Sequence, residues 1–561
     1  MNTENKYDVA IIGAGIGGLT AAALLCKSGL KVALVEKEPH AGGYLAGYQR
    51  KGFRFDTAIH WLNQCSETGL VTKIFRLIGS DYPYCKSHKN IRRYKGETID
   101  FLLTDQPDAL RDELIAAFPD DSKGISKFFE ASKKLGNSLN NFKEIFRCTE
   151  TMHWAQKWRH KIRMLKFALP FIPYIRYTDE NLEKGLNKFF THERLRRLFS
   201  SETDLLSCMV PVGWAYHGDY QHPPEGGGQV MPEWLVHVLK HYGGDLFFNT
   251  TVKKINLNGS LATGLTVVTK GAEREIKAGT VIAACDLQSV YETMLPEGII
   301  PAKKIKQLAE SEIYASSVTV SIALNCPSEE LGFGEEMIHL FDENISKHMH
   351  NTGEPGHAAL TILAPSVHDK SLAPAGCGTL VIFMPAFLNQ HNEWQTGKGL
   401  ERGDGYRLLK ESVAEKLISR VEQRLAPDLR KHILFYEVAT PVTHWRYTGN
   451  KGGTMMGAKP GRKNMQAKVA GYKTPVKNLF IGGQWAELGG GVPIAAKAGA
   501  NAALLALQRS RLKAFEELIR YFNGELSAEE LNDGDVFKPY SNSWVRRKTP
   551  AEKYFSGVPR A

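Results

Sequence analysis

The sequence contains no apolar run long enough to cross a membrane as a helix. Its 561 residues hold no stretch of about 18 to 20 consecutive apolar residues, which is the length that a bilayer demands. The N-terminal segment Met1–Lys6 also lacks the basic, apolar and small-residue regions of a secretory signal. We therefore expect a cytoplasmic protein whose membrane association is peripheral or monotopic.

The usual signatures of metal centres and hydrolases are also missing. The eight cysteines are scattered without a CxxC pair, so neither a zinc ribbon nor a dithiol redox motif is available. A reducing compartment is the simplest location for such a chain. No HExxH or GxSxG pattern occurs, so the sequence predicts no metal site and does not support hydrolysis.

The composition of the chain is that of a globular protein, with more basic than acidic residues. With 43% hydrophobic and 23% charged residues it is typical of folded proteins. Its length corresponds to roughly two to four domains. The 71 basic and 60 acidic residues leave a net charge of +11. This charge favours an anionic partner, which could be a membrane surface, nucleic acid or an acidic ligand.

The first 36 residues carry a dinucleotide-binding pattern. A strand-like run at 7–12 leads into the glycine-rich turn 13–18 and a helical segment at 19–27. A second strand at 31–35 then ends in Glu36. The plain alternative, a structural glycine turn, does not account for the flanking strands, the helix and the terminal acid together.

Each residue type in this pattern has a mechanical use. Gly13 makes the tight turn, Gly15 lets the backbone approach a pyrophosphate, and Gly18 allows the helix to pack closely on the strand. The N–H groups at the helix N-terminus then face the phosphates, and Glu36 accepts hydrogen bonds from the adenosine ribose.

The residues that follow resemble the two-glycine motif of the flavin amine oxidase-like superfamily. The matching stretches are Pro39–Tyr44, which contains the pair Gly42-Gly43, and Gly52–Trp61. In that superfamily the segment wraps the flavin diphosphate and ribityl chain, and a basic residue usually follows the glycine pair, where Tyr44 stands here. The resemblance implies that the cofactor is FAD.

A second flavin motif lies near the other end of the chain. Asn478–Trp485 predicts a short buried strand ending at glycines, and Gly489–Pro493 opens an alanine-rich helix that runs through Ala506. This resembles the superfamily's C-terminal motif, whose backbone near Gly491 and Val492 faces the isoalloxazine ring. The alternative is a strand, a turn and a helix with glycines for packing only. Because no second GxGxxG unit occurs, we expect one FAD and no separate NAD(P)H domain.

A third segment returns to the cofactor domain. A predicted helix at 230–242 follows the glycines 226–228, and strand-like residues at 245–255 and 280–284 come next. This segment resembles the superfamily piece in which backbone around Val252 contacts the adenine half of FAD.

The sequence therefore predicts an α/β fold in which a Rossmann-type FAD-binding domain, discontinuous in sequence, is interleaved with an α+β substrate domain. The FAD-binding domain is assigned to 1–75, 224–290 and 435–507, and the substrate and membrane-facing domain to 76–223 and 291–434. Residues 508–561 form a C-terminal helix and a tail with Trp544 and the basic stretch 546–548, to which we assign no function.

Residues 151–169 predict an amphipathic helix with tryptophans on its apolar side. The side chains that fall within one arc of about 80 degrees are Trp154, Trp158, Ile162, Leu165 and Leu169. No acidic residue occurs in 152–177, while six of the 11 excess positive charges lie there. This pattern favours docking on an anionic membrane surface. The alternative is a helix packed on the substrate domain. Nucleic acid is not expected as a partner because no recognised binding module accompanies the basic run.

Three segments together resemble the carotenoid desaturase, carotenoid isomerase and retinol saturase family: Phe55–His60, Glu437–Asn450 and Gly489–Pro493. The resemblance spans most of residues 5–507. It implies hydride exchange between flavin and the carbon–carbon bonds of a long apolar isoprenoid or polyene, by saturation, desaturation or isomerisation. His60 is the candidate catalytic residue, as a proton donor or hydrogen-bond partner near the flavin, and a structural histidine in a turn is the alternative.

The candidate cofactor contacts are spread over four segments of the chain. They are Gly13, Ala14, Gly15, Gly17, Gly18, Glu36, Lys37, Gly43, Tyr44, His60, Val252, Gly483, Gln484, Gly491 and Val492.

Two rival functions stay open. A flavin-dependent amine oxidase would share the fold, although Tyr44 and the C-terminal motif favour the polyene family. A non-catalytic prenyl- or lipid-binding relative would have lost flavin, which the intact glycines and Glu36 oppose.

Overall fold

The strands in the described part of the chain form two seven-stranded sheets and one hairpin. The computed structural model describes residues 6–178, 181–199, 204–388, 393–534, 536–537 and 540. In chain order the strands are β1 Lys6–Ile12, β2 Val32–Val35, β3 Gly47–Arg50, β4 Phe53–Asp56, β5 Asn90–Lys95, β6 Asp100–Thr104, β7 Asp245–Phe247, β8 Thr250–Asn258, β9 Leu261–Thr269, β10 Ala272–Ala283, β11 Ser316–Leu324, β12 Met337–Leu340, β13 Leu360–Leu363, β14 Gly378–Ala386, β15 Ile433–Ala439 and β16 Leu479–Ile481.

The first sheet has a parallel core assembled from distant parts of the chain. β1 lies between β2 and the C-terminal half of β10, β7 pairs with β2, and β16 pairs with β10, all in parallel. The N-terminal half of β10 pairs antiparallel with β9, which in turn pairs with β8. The 12 residues of β10 therefore join a parallel layer to an antiparallel meander.

The helices are α1 Ile16–Lys27, α2 Leu70–Ile78, α3 Pro107–Ala117, α4 Ser122–Asn140, α5 Trp154–Ala168, α6 Leu182–Leu186, α7 Glu193–Phe199, α8 Leu205–Ala215, α9 Val230–His241, α10 Leu287–Ser289, α11 Ala302–Ala309, α12 Lys347–His350, α13 Asp404–Arg424, α14 Leu429–His432, α15 Pro441–Thr448, α16 Arg462–Ala467, α17 Gly491–Ser510, α18 Leu512–Phe522 and α19 Ala528–Asn532. Every residue of α1 is buried, and the helix packs against α9 and α17. The close approach of α1 and α17 depends on small residues, since a Cβ at Gly499 would overlap the Gly17 carbonyl oxygen.

The second sheet has the strand order β15-β11-β14-β13-β12-β5-β6. Its neighbours are antiparallel except for the pair β12 and β5. β11 is buried along its whole length, as expected for a central strand covered on both faces. An aromatic core containing Phe128, Phe190 and Phe199 lies beside this sheet and includes residues of α4 and α8.

Some predicted boundaries differ from the elements that the structure shows. The boundary after residue 75 falls inside α2, and the boundary after 434 falls inside β15. β15 pairs with β11 in the second sheet, whereas the sequence assigned most of it to the FAD-binding domain. The domain division otherwise stays a prediction. Trp544 and the basic stretch 546–548 lie outside the described residues.

α5 is unusual because none of its residues is buried. It begins at Trp154, after an N-terminal capping box between His153 and Gln156, and ends before Pro170. Trp154 and Trp158 are 76% and 62% exposed, and Ile162, Leu165 and Leu169 are each more than half exposed. The apolar stripe that the sequence predicts therefore faces outward, and the alternative in which it packs on the protein is not observed. Within the described ranges, no helix has both the length and the apolar character required to span a bilayer.

Candidate cofactor site and adjoining cavity

The glycine-rich turn after β1 is tightly folded. Gly13 has a φ of +97°, and its N–H donates to the Val35 carbonyl at 2.8 Å. A side chain at Gly18 would overlap the Gly13 carbonyl oxygen, so this position must be glycine for α1 to start where it does. The turn and the helix are thus held in the geometry that the sequence predicts for a dinucleotide site.

Gly15 leaves open space at the N-terminus of α1. No side chain caps the helix at this end, and a Cβ at Gly15 would meet nothing within 4 Å. The combination of free N–H donors, a positive helix end and an open approach suits an anionic group such as a diphosphate. The residues present therefore fit the dinucleotide that the pattern predicts.

Glu36 fixes the end of β2 against the glycine turn. Its carboxylate accepts hydrogen bonds from the N–H of Ala14 at 2.7 Å and from the N–H of Glu38 at 2.9 Å. The Glu36 carbonyl also accepts from the Thr250 N–H at 2.9 Å, which brings the start of β8, with the buried Val252, to the same edge. Glu36 and the start of β8 thus lie together beside the glycine turn, and the contact of Glu36 and Val252 with the adenine half stays a prediction.

Lys37 points toward a different part of the fold. Its Nζ donates to the Arg446 carbonyl at 3.0 Å, near the C-terminal end of α15, and lies 3.8 Å from Glu38 Oε1. A lysine at the negative end of a helix is favourable for stability. In this structure Lys37 therefore ties β2 to α15.

The two-glycine segment touches the glycine turn directly. The Gly42 N–H donates to the Ala14 carbonyl at 2.9 Å, and a Cβ at Gly43 would come within 3.3 Å of Gly15 Cα. The Tyr44 hydroxyl donates to the Thr454 carbonyl at 2.6 Å. Burial raises the pKa of Tyr44, so the hydroxyl stays protonated and acts as a hydrogen-bond donor.

The C-terminal motif meets the N-terminal motif at glycines. A Cβ at Gly17 would lie 2.5 Å from the Gly482 carbonyl oxygen and 3.3 Å from Gly483 Cα. The Gly482 N–H donates to the Ala283 carbonyl at 2.8 Å, so the end of β16 is held beside β10. The structure thus brings together two motifs that are about 470 residues apart in the chain.

α17 begins at the C-terminal motif with free N–H groups. Gly490 precedes the helix and no side chain caps it, while Gly491 is exposed and Val492 is buried. Gln484 is half-buried at the start of a short 3-10 helix. α17 therefore offers a second positive helix end in the same region of the molecule.

A loop that the sequence does not mark as part of the site links these segments. The Trp485 Nε1–H donates to Asn450 Oδ1 at 2.9 Å, and Asn450 Nδ2 donates to the Thr454 carbonyl at 2.9 Å. The same Thr454 carbonyl accepts from Tyr44. Asn450 therefore connects both glycine motifs, and its place at the end of the family-like stretch 437–450 is the only sequence signal for it.

His60 lies apart from the glycine motifs, on the side of the second sheet. Its ring stacks on Phe383 of β14 at a centroid distance of 4.0 Å and an interplanar angle of 5°. Burial, followed by the proximity of His444, lowers the pKa of His60 to about 3, so its imidazole is neutral at pH 7. His444 lies 6.1 Å from the Tyr44 ring, and this contact links His60 to the two-glycine segment.

A small cavity of about 30 Å³, lined by both polar and apolar side chains, adjoins His60. Its lining includes Asp56, His88, Glu335 and His368. Asp56 Oδ1 accepts a hydrogen bond from the Gly228 N–H at 2.9 Å. Burial raises the pKa of Asp56 to about 7, an effect that the Gly228 hydrogen bond opposes and Asp369 reinforces.

The chain is similar in sequence to several characterised enzymes. Residues 11–77 match the model of the NAD(P)-binding Rossmann-like domain family. Prolycopene isomerase of Daucus carota is 26% identical over 469 residues, which cover 81% of this chain and 72% of the relative. All-trans-retinol 13,14-reductase of Danio rerio is 24% identical over 516 residues, which cover 85% and 82%. The 4,4'-diapophytoene desaturase (4,4'-diapolycopene-forming) of a Methylomonas species is 22% identical over 530 residues, which cover 91% and 97%.

Solved structures confirm the predicted α/β fold with a Rossmann-type domain. An oxidoreductase from Methanosarcina mazei has a TM-score of 0.55 at 15% identity and covers 88% of this chain and 99% of its own. Putrescine oxidase bound to putrescine has a TM-score of 0.56 at 16% identity and covers 90% and 99%. These likenesses show the fold, and the sequence relatives show the kind of enzyme. The sequence relatives are an isomerase, a reductase and a desaturase, and they match the carotenoid desaturase, carotenoid isomerase and retinol saturase family of oxidoreductases that the motifs predict.

Proposed function

We propose that the protein is an FAD-dependent oxidoreductase that exchanges hydride with carbon–carbon bonds of a long apolar isoprenoid or polyene. The observation that carries this proposal is the close packing of α1 and α17 at Gly17 and Gly499, two helices whose N-termini have no side-chain cap, in a chain whose sequence relatives are named for polyenes. Saturation, desaturation and isomerisation are all compatible with this arrangement.

The residues that would hold FAD are those of the two glycine motifs and their supports. N–H groups at the start of α1 would face the diphosphate across the open space at Gly15. Glu36 retains lone pairs that can accept from ribose hydroxyls, and backbone near Val252 would lie beside the adenine. The start of α17 would place Gly491 and Val492 toward the ring. The bound flavin supplies hydride transfer, and the protein supplies position and electrostatics.

His60 is the proposed polar group at the reacting end. Its imidazole is neutral at pH 7, and Nε2 makes no hydrogen bond with any described residue, so that nitrogen is available to a proton or a ligand. In this role His60 would hold or deliver a proton at Nε2. A purely structural role would leave that buried nitrogen without a purpose.

The proposed function is tested by anaerobic mixing with a panel of polyenes. The purified protein should be yellow with a flavin spectrum, and its reduced and oxidised forms should be mixed with all-trans-retinol, prolycopene and 4,4'-diapophytoene. Reoxidation of reduced flavin would show saturation, bleaching of oxidised flavin would show desaturation, and an isomerised product without net flavin change would show isomerisation. Turnover of amines with no activity on any polyene would support the amine oxidase alternative instead. A colourless protein that does not bind FAD would support a lipid-binding one.

We also propose that α5 docks on an anionic membrane surface, where an apolar polyene would be dissolved. Its exposed tryptophans suit the interface between lipid headgroups and acyl chains, and the exposed cations on its other faces suit anionic headgroups. Lys161 Nζ lies 5.0 Å from the Trp158 ring centroid, so charge and aromatic surface are presented together.

α5 is close to the C-terminal motif. Phe167 near its end lies 6.2 Å from the Phe142 ring, and the Phe142 ring lies 4.8 Å from Lys497 Nζ of α17. Lys497 is buried and pairs with Glu487 at 3.0 Å, just before the glycines that open α17. A membrane bound by α5 would therefore lie near the helix that we assign to the flavin ring.

A further inference from the structure

The cavity beside His60 reaches from a buried nitrogen to an exposed side chain. His60 Nε2 is sequestered from solvent, whereas His368 on the same lining is exposed and the Glu335 side chain is 27% exposed. A volume of about 30 Å³ is enough for two or three water molecules, given about 10–15 Å³ of such space per water. Imidazole and carboxylate groups on its lining offer the hydrogen-bond partners that such waters need, and apolar side chains form the rest of the wall.

Three histidines from separate segments stack at the outer end of this cavity. The His222 ring stacks on His368 at 4.0 Å between centroids, and His88 lies over His222 at 3.4 Å. Glu335 is fixed beside them, because its Oε1 accepts from the Asn90 N–H at 2.9 Å and its Oε2 lies 3.4 Å from His222 Nε2. The cluster is therefore built by tertiary contacts between segments that are distant in the chain.

Several nitrogens in this group are buried without a hydrogen bond to the described residues. They are both ring nitrogens of His88, Nδ1 of His222 and Nε2 of His60. Buried polar atoms in folded proteins nearly always find a partner, and ordered water is the usual one when no protein group is in reach. His60 and His88 line the cavity, so three of these atoms point to water inside it.

We propose that the cavity is a water-filled proton path that connects solvent at His368 with His60. The proposal rests on the function proposed above and deepens it. Adding two hydrogens to a carbon–carbon double bond takes a hydride, which reduced flavin supplies, and a proton: the π bond is lost, two C–H bonds form, the flavin is oxidised and the polyene is reduced. His60 would give the proton and recover it through the cavity, and desaturation would run the same path in reverse.

The histidines along the path are suited to passing a proton on, because they are not expected to stay protonated. Arg54, Asp56, Asp369 and Glu335 line the cavity, and Lys86 acts on His222 and His368 from outside it. Burial lowers the pKa of His88 to about 2, an effect that His222 and His368 reinforce and the backbone at Asn90 and Gln221 opposes. Neutral imidazoles accept a proton on one nitrogen and release one from the other, so they can relay without holding charge.

His368 provides the test because it is exposed and its replacement leaves the buried rings in place. His368→Trp keeps a ring stacked on His222 but fills the mouth of the cavity, and His368→Gln keeps the mouth polar and open. Exchange of the imidazole C2 hydrogen in D₂O, read by mass spectrometry of peptides from the flavin-loaded full chain, reports the access of water to each histidine. His350, which is buried outside the cavity lining, serves as the internal reference.

We expect His60 to exchange severalfold more slowly in His368→Trp than in the unmodified protein or in His368→Gln, with His350 unchanged. Turnover of all-trans-retinol, prolycopene and 4,4'-diapophytoene should slow more in His368→Trp than in His368→Gln, at equal flavin content. Equal exchange of His60 in all three proteins would overturn the path even if a polyene is converted. If none of the three probes is converted while His60 exchange still depends on residue 368, the proposed function fails and the water path stands.

Discussion

Gly17 lies directly against Gly482, so closely that a Cβ at Gly17 would come within 2.5 Å of the Gly482 carbonyl oxygen. Gly17 belongs to the first turn of α1 and Gly482 follows β16, so this contact joins the two glycine motifs without any side chain between them. The site therefore depends on glycine for two separate reasons, which are close packing at Gly17 and open space at Gly15.

Alanine at these two positions should have different effects. Gly15→Ala should fold normally, because φ at Gly15 is −71° and a Cβ there meets nothing within 4 Å. The new methyl group would occupy the space for the diphosphate, so flavin affinity should fall at least about tenfold, or about 1.4 kcal/mol. Gly17→Ala should instead destabilise the fold by about 1–3 kcal/mol through overpacking.

Flavin fluorescence titration and thermal unfolding of the flavin-free proteins separate the two effects. Unfolding of Gly15→Ala at a clearly lower temperature than the unmodified protein, or unchanged flavin affinity in this variant, would contradict the open diphosphate site.

Tyr44→Phe should leave flavin content unchanged and weaken the fold slightly. The Thr454 carbonyl loses the Tyr44 hydroxyl but keeps Asn450 Nδ2, so the free energy of unfolding should fall by about 0.5–1.5 kcal/mol, the usual net value of one hydrogen bond. Asn450→Ala is the matched comparison, and it should cost more because it also leaves Trp485 Nε1 without its acceptor. Loss of flavin from Tyr44→Phe alone would show that Tyr44 contacts the cofactor.

Asp56 should make stability depend on pH. Its folded-state pKa of about 7 lies above the ordinary 3.8, so the folded chain holds the proton more tightly than the unfolded chain does. This contribution is complete below pH 4 and is lost as pH rises through 7. Asp56→Asn stays neutral and still accepts a hydrogen bond from the Gly228 N–H. The melting temperature of this variant, relative to that of the unmodified protein, should therefore be higher at pH 8 than at pH 5. An equal difference at both pH values would refute the raised pKa.

The membrane proposal predicts a loss of vesicle binding when the outward face of α5 is changed. Lys157→Gln with Lys161→Gln should weaken binding to phosphatidylserine-containing vesicles by about 30-fold, from about 1 kcal/mol per cation, with no effect on neutral phosphatidylcholine vesicles. Trp154→Ala with Trp158→Ala should weaken binding to both. Leu408→Ala, which removes an exposed leucine from α13, is the matched control and should bind as the unmodified protein does. Unaltered co-sedimentation of both α5 variants would exclude docking through this helix.

Local patterns were sufficient for the parts of the site in which each residue's role is set by its immediate neighbours. The strand, glycine turn and helix from β1 to β2 follow from glycine positions and apolar period, and the start of α17 follows from Gly489–Pro493 and the alanines after it. The exposed stripe of α5 also follows from period, because only the spacing of Trp154 and Trp158 is needed to place them on one face.

The features that depend on long-range contacts could not be predicted. His88, His222 and His368 are scattered singly in the sequence, and only the pairing of distant segments stacks them. The link from Tyr44 through Asn450 to Trp485 likewise joins three segments that share no local pattern. β5 and β12 pair in parallel although more than 200 residues separate them. The local sequence of each strand therefore does not indicate which strand it pairs with.

The pairing of β10 has a consequence for how the chain folds. Lys6 of β1 pairs with Lys277, and Ala283 pairs with Ile481, so the parallel layer closes only when strands from near both ends are present. During synthesis, the apolar β1 and α1 stay exposed until β10 and β16 have also left the ribosome. Such non-local closure is slow and leaves hydrophobic surface open in the meantime. We therefore expect biogenesis to depend on chaperones, with cofactor capture following the synthesis of β16 and α17.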